Sequence, residues 1–173
     1  MDTTNIKLDD ITDFGIVLGS ESAPKTMIEY INLRCPYCKQ FWNQNYSLLD
    51  GAIKSGQLKL VIKLLDKVKP SLQRGNIMHH HITLDEPELA VKEIQQIFDT
   101  QDDWSSLSLS EVASFAKEKL GLKEQMNDRY VTKIFREAES ANIVFVPTAI
   151  IEDNIFDEHL DLIELDLLIN QNK

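Results

Sequence analysis

The chain has 173 residues, 43% of them hydrophobic, enough for one well-filled domain with room for an inserted subdomain, and it lacks the Pro, Gly or Ser excess of a disordered tail. Its formal net charge of −10 disfavours nucleic acid or an anionic membrane surface as partner, since both reward clustered Lys and Arg. No apolar run approaches the length of a membrane span, and the stretch from Met1 to Lys7 lacks the basic start and apolar core of a secretory signal, so a cytoplasmic protein is expected.

In chain order, Phe14 to Leu18 has the pattern of a short strand, and the turn from Gly19 to Pro24 leads into a largely apolar strand from Thr26 to Ile31. That strand runs straight into Cys35-Pro36-Tyr37-Cys38, which holds the only two cysteines of the chain. Pro36 suits the first helical position, where its missing N–H costs nothing. Phe41, Trp42, Leu48, Leu49, Ala52 and Ile53 then recur at helical spacing until Ser55-Gly56 stops the run. Leu58 to Leu65 reads as a buried strand that can lie parallel to the first in a right-handed βαβ unit.

From Pro70 to about residue 142 no strand-like run appears. Three apolar stripes predict helices: Leu89, Ala90, Ile94, Ile97 and Phe98; Val112, Phe115, Ala116 and Leu120; and Tyr130, Val131, Ile134, Phe135 and Ala138. Ser110 is placed near the start of the second and Gly121 near its end. Thr148 to Glu152 and Ile155-Phe156 flank Asp153-Asn154, which predicts an antiparallel hairpin, and Leu160, Ile163, Leu167 and Leu168 predict a final amphipathic helix. The sum is an α/β chain ordered βαβ, a helical block, then ββα.

The chemistry rests on the cysteine pair. A helix beginning at Cys35 holds that sulfur against the positive end of the helix dipole, which lowers a thiol pKa. Cys35 is therefore the expected exposed nucleophile, and Cys38, one turn in and covered, the resolving thiol. Three other readings compete. A structural disulfide across two residues constrains the unfolded chain little. A zinc site needs about four ligands, and beyond the pair only His79-His80-His81 and His159 are candidates. Three consecutive helical histidines point three ways, so they read as a partly solvated face. Chance adjacency is opposed by the proline and by the strand-to-helix context.

Ala23-Pro24 entering the strand, Cys35-Pro36-Tyr37-Cys38 followed by Phe41-Trp42, and Val146-Pro147-Thr148 before the hairpin together resemble the DsbA-like family of thiol-disulfide oxidoreductases. The resemblance covers most of the chain from about Gly19 onward. It implies a thioredoxin-like βαβ…ββα fold, over residues 1–69 and 143–173, with an inserted helical subdomain over residues 70–142. It further implies that Pro147 is cis and faces the cysteine pair, with the Val146 backbone pairing with substrate. Glu29, six residues before Cys35, matches the buried acid that acts as proton acceptor for the resolving thiol, although strand alternation alone would also allow it to face solvent. Lys63 is a candidate partner for Glu29 in proton transfer, although an edge or surface position is its simpler reading and Lys59 an equal alternative. The sequence departs from the secreted branch of the family in lacking a signal segment or lipoprotein cysteine. It also lacks the histidine that strongly oxidising members carry between their cysteines, which implies a less oxidising couple.

The function expected is thiol-disulfide exchange with protein or small-thiol substrates, with no cofactor, since no flavin or nicotinamide motif appears. Electrons must then pass to or from another thiol, protein or small molecule. The alternative is a redox-sensitive adaptor on the same fold. A kappa-type glutathione transferase fits less well, because that branch lacks the second cysteine.

Overall fold

The computed structural model describes residues 3–171. Strands β1 (Ile16–Leu18), β2 (Lys25–Ile31), β3 (Leu58–Leu64), β4 (Thr148–Ile151) and β5 (Asn154–Phe156) form a mixed sheet in the order β1-β3-β2-β4-β5. β2 and β3 run parallel, which requires a crossover, supplied by helix α1 (Pro36–Lys54); the other pairings are antiparallel. Between β3 and β4 lie α2 (Gln73–His79), α3 (Pro87–Asp99), α4 (Gln101–Trp104), α5 (Leu109–Glu118) and α6 (Asp128–Ala141), and α7 (Leu162–Asn170) closes the chain.

Both faces of the central strands are covered, which is why they read as near-continuous apolar runs. Met27 and Ile31 of β2 join Leu60, Ile62 and Leu64 of β3 in a large core that includes α1, α3 and α7 residues such as Phe41, Ile94 and Leu165. Tyr30 and Ile28 point the other way, onto Ile134 and Ala138 of α6 and onto Ile6, Leu8, Ile11 and Phe14 of the N-terminal segment. Gly19 follows β1 at φ 91°, and a Cβ there would lie 2.4 Å from the Leu58 carbonyl oxygen, so the turn into β2 needs a glycine twice over.

Four expectations change in detail. Phe14 lies outside β1 and packs its ring, tilted by 42°, 5.3 Å from that of Tyr130. The hairpin turn falls on Glu152-Asp153, with Ile151 opposite Asn154, one residue earlier than Asp153-Asn154 suggests; Glu152 takes the left-handed conformation at φ 53°. Helix α5 starts after Ser108, whose hydroxyl accepts from the Glu111 N–H while the Glu111 carboxylate returns the bond to the Ser108 N–H. In α7 the buried residues are Leu165 and Ile169, and Ile163 and Leu167 face out. That helix is apolar almost all round, so periodicity alone could not choose its inner face. Its start is set by the reciprocal Asp161–Glu164 cap.

Candidate active site

Asn32, Leu33 and Arg34 carry the chain from β2 into α1, and Cys35 takes the N-cap position with Pro36 at the first turn. The two cysteines are unbonded to each other. Cys35 is shifted down to about 7, chiefly by a hydrogen bond from the Cys38 thiol, with the Cys38 and Tyr37 backbone N–H groups adding to it against the cost of burial. Cys38 is pushed well above the ordinary thiol value, first by burial and then by its role as donor to Cys35. The pair is thus split into one sulfur that ionises near neutrality and one that holds its proton.

One expectation fails here: Cys35 is not exposed. It retains 4% of its accessible surface and Cys38 none, while Tyr37 between them stands 55% exposed. The loop before β4 covers the nucleophile. The Val146–Pro147 peptide is cis, and the Val146 carbonyl accepts from Cys35 Sγ at 3.3 Å. On the other side Gln101 Nε2 donates to the Leu33 carbonyl at 2.9 Å and reaches that of Cys35 at 3.4 Å.

Glu29 lies on the face of β2 that looks toward α1, level with Ile62 and Ala149. It is fully buried, neither carboxylate oxygen has a hydrogen-bond partner, and burial pushes it up to about 8. Its charge is felt at Cys38. Lys63 does not meet it. Lys63 is level with Tyr30, so it projects from the opposite face, where it is wholly buried and bonds to Glu137 of α6 and to the Thr12 carbonyl. The surface reading of Lys63 fails as well, because Glu137 compensates a buried ammonium in a way that no local pattern announces. Lys59, the other candidate, is also buried and pairs with Asp13 and Glu21.

The histidine run is not a solvated face. His79 and His81 are buried and only His80 is partly open. His79 Nδ1 lies 2.6 Å from Asp66 Oδ1, and its Nε2 accepts from the Leu33 N–H at 3.3 Å, so a side chain from α2 supports the segment that enters the cysteine pair. Asn32 does the same from within. Its N–H faces Cys38 Sγ at 3.5 Å, its Oδ1 accepts from the Arg34 N–H, and its Nδ2 donates to Asn76 Oδ1 and the Leu65 carbonyl. Asn32, Asn76, Asp66 and Gln101 carry no local signal, because tertiary folding alone brings them together, and His79, expected on a partly solvated face, is instead buried against Leu33.

A thioredoxin family model matches residues 12–171. The chain belongs to the thioredoxin family. A structure described as a conserved protein of unknown function from Enterococcus faecalis is similar over 99% of this chain and 98% of its own, at 44% identity and TM-score 0.96. The fold is also that of Bacillus subtilis BdbD (15% identity, TM-score 0.64, 95% and 94% of the two chains) and Chlamydia trachomatis DsbA (14%, 0.68, 92% and 91%). No protein of curated function matches the chain. The thioredoxin family, the DsbA-like fold and the spaced cysteine pair together support thiol-disulfide oxidoreductase chemistry in general. No helix among the described residues is long and apolar enough to cross a membrane.

Proposed function

We propose that this member of the thioredoxin family is a dithiol–disulfide oxidoreductase in which Cys35 attacks a substrate disulfide and Cys38 resolves the mixed disulfide. The opposed shifts of the two thiols carry the reading, because exchange needs one ready thiolate and one held in reserve. In the first step the Cys35 thiolate forms a bond to one substrate sulfur and expels the other as a thiolate. In the second, Cys38 gives up its proton, bonds to Cys35 sulfur and releases the remaining substrate thiol. The substrate gains two electrons and the pair becomes a disulfide; the reverse sequence oxidises a dithiol.

Glu29 is the group we assign as proton acceptor for Cys38 in its ionised form, since it is a buried carboxyl without partners, pushed up to about 8, whose field reaches that sulfur. The Val146 backbone, which already faces Cys35, is the proposed contact for an extended substrate segment. Protein disulfides are the proposed substrate class, and a reducing cytoplasm the proposed setting, where the pair would rest as the dithiol.

Turnover separates the enzyme from an adaptor on the same fold. With a disulfide-bonded protein and a reducing thiol, wild-type protein should accelerate reduction, Cys38→Ala should accumulate mixed disulfides through Cys35, and Cys35→Ala should form none. Stoichiometric binding of a partner with no acceleration would favour the adaptor.

A further inference from the structure

The hydrogen bonds around the pair close into a ring that passes through a lysine outside the site described above. Asn32, whose N–H faces Cys38 Sγ, donates from Nδ2 to Asn76 Oδ1 at 3.0 Å. Asn76 then grips the backbone of Lys67 at both ends, its Oδ1 accepting from the Lys67 N–H at 3.0 Å and its Nδ2 donating to the Lys67 carbonyl at 2.9 Å. The Lys67 ammonium crosses to the Val144 carbonyl at 2.7 Å, two residues before the Val146 carbonyl that sits on Cys35 Sγ. Lys67 thus ties the segment after β3 to the loop that lies over the thiols, and its backbone is held by residues that also hold the start of α1.

Ile143 and Val146 pack on the core, but Val144 and Phe145 between them are exposed at 57% and 51%, and it is this exposed stretch that the ammonium restrains. The half-buried ammonium has no carboxylate partner among the described residues. Burial lowers its pKa while the Cys38 sulfur opposes that fall, so its positive charge is within electrostatic reach of the resolving thiol. The other titratable groups facing Cys38 are Cys35 from the N-cap of α1 and Glu29 from β2; both disfavour a thiolate at Cys38 when they are charged. His79 of α2, with Asp66, stands one residue further off, on Leu33. The other cations near the pair, Arg34 before Cys35 and Lys39 after Cys38, are turned to the Ser105 carbonyl and to Asp102.

We propose that Lys67 is a positioning residue of the resolving step, holding the Val144–Val146 loop over the cysteine pair and a positive charge beside Cys38 as that thiol becomes a thiolate. The inference rests on the exchange reading above, and it concerns only the second of its two steps: Cys38 loses its proton, its sulfur bonds to Cys35 sulfur, and the departing thiolate takes up a proton.

Dithiodipyridine, a neutral chromogenic disulfide, separates the steps without any natural substrate. Attack by Cys35 releases one thiopyridone, and resolution by Cys38 releases the second. Lys67→Gln keeps a donor near the Val144 carbonyl but removes the charge. A cation moved from a thiol's neighbourhood changes its thiolate fraction by about tenfold, partly offset by the greater nucleophilicity of a more basic thiolate, for a net slowing of about threefold. Lys67→Gln should therefore leave the first release unchanged, slow the second about threefold, and move the pH profile of the second release upward; Lys67→Arg should restore both rate and profile. A second release in Lys67→Gln with wild-type rate and pH profile would overturn the proposal. So would a slowing uniform across pH, which would make Lys67 a tether alone. Two-phase release in the wild-type protein that lacks catalytic turnover on protein disulfides would instead count against the enzyme reading and leave the Lys67 comparison intact.

Discussion

Glu29 is the residue whose environment departs furthest from what a side chain of its type prefers. A carboxyl in the core with both oxygens unpartnered costs stability once it ionises, and burial places that ionisation near pH 8 rather than 4.5. Below 4.5 the group is protonated in folded and unfolded chains alike and contributes no pH dependence. Between 4.5 and 8 the folded chain binds the extra proton, so stability falls as pH rises; above 8 both states are ionised and the decline stops. The loss attributable to Glu29 across that window is about 5 kcal/mol at most. Urea unfolding of Glu29→Gln should show a shallower decline in stability from pH 4.5 to 8 than wild type. Parallel pH profiles for the two proteins would mean that Glu29 is hydrated or paired in solution.

At the scale of elements, two glycines make opposite predictions. Gly75 of α2 sits where the helix meets the segment entering α1; a Cβ there would lie 2.1 Å from Asn32 Oδ1 and 2.6 Å from the Arg34 nitrogen. Gly75→Ala should cost about 1–3 kcal/mol as an overpacked contact, and should raise the alkylation rate of Cys38 by loosening Asn32. Gly51 lies inside α1 with nothing within 4 Å of an added Cβ, so Gly51→Ala should stabilise by about 0.5–1 kcal/mol. Urea midpoints measure both, and a stabilising Gly75→Ala would show that α2 does not press on the active-site segment. Nothing in the sequence separates these glycines, because the difference is a tertiary approach. The strands and most helices were legible because their apolar periods and their stops, such as Ser55-Gly56, are local. The hairpin turn moved by one residue because the register of β4 on β2, and not the preference of Asp-Asn for turns, fixes where the strand ends.

Across the whole molecule, the N-terminal segment, the sheet and α6 meet at one buried polar cluster. Glu137 of α6 accepts from the Tyr30 hydroxyl of β2, the Thr12 N–H and hydroxyl, and the Lys63 ammonium of β3. Glu137→Ala would leave the Lys63 charge buried without its partner and should cost about 3–5 kcal/mol. The double substitution Glu137→Leu with Lys63→Met should recover much of that loss, which thermal unfolding would register; no recovery would mean that the cluster matters for its hydrogen bonds more than for its charge balance. The candidate site was legible in outline, since the cysteine pair and the cis Val146–Pro147 bond, with the Val146 carbonyl on Cys35 Sγ, lie together. The partner of Lys63 was not, since alternation placed Lys63 on either face and only the β2–β3 register, Tyr30 beside Lys63 and Glu29 beside Ile62, turns it away from the thiols.

One Cys-x-x-Cys pair holds two thiols of opposed acidity. Alkylation by iodoacetamide as a function of pH, resolved by peptide mass, reads both at once. Cys35 should be modified first, with its rate rising through an apparent pKa of about 7, while Cys38 stays unmodified until far more alkaline conditions. Equal modification of the two thiols with a common alkaline midpoint would show that the site does not set them apart.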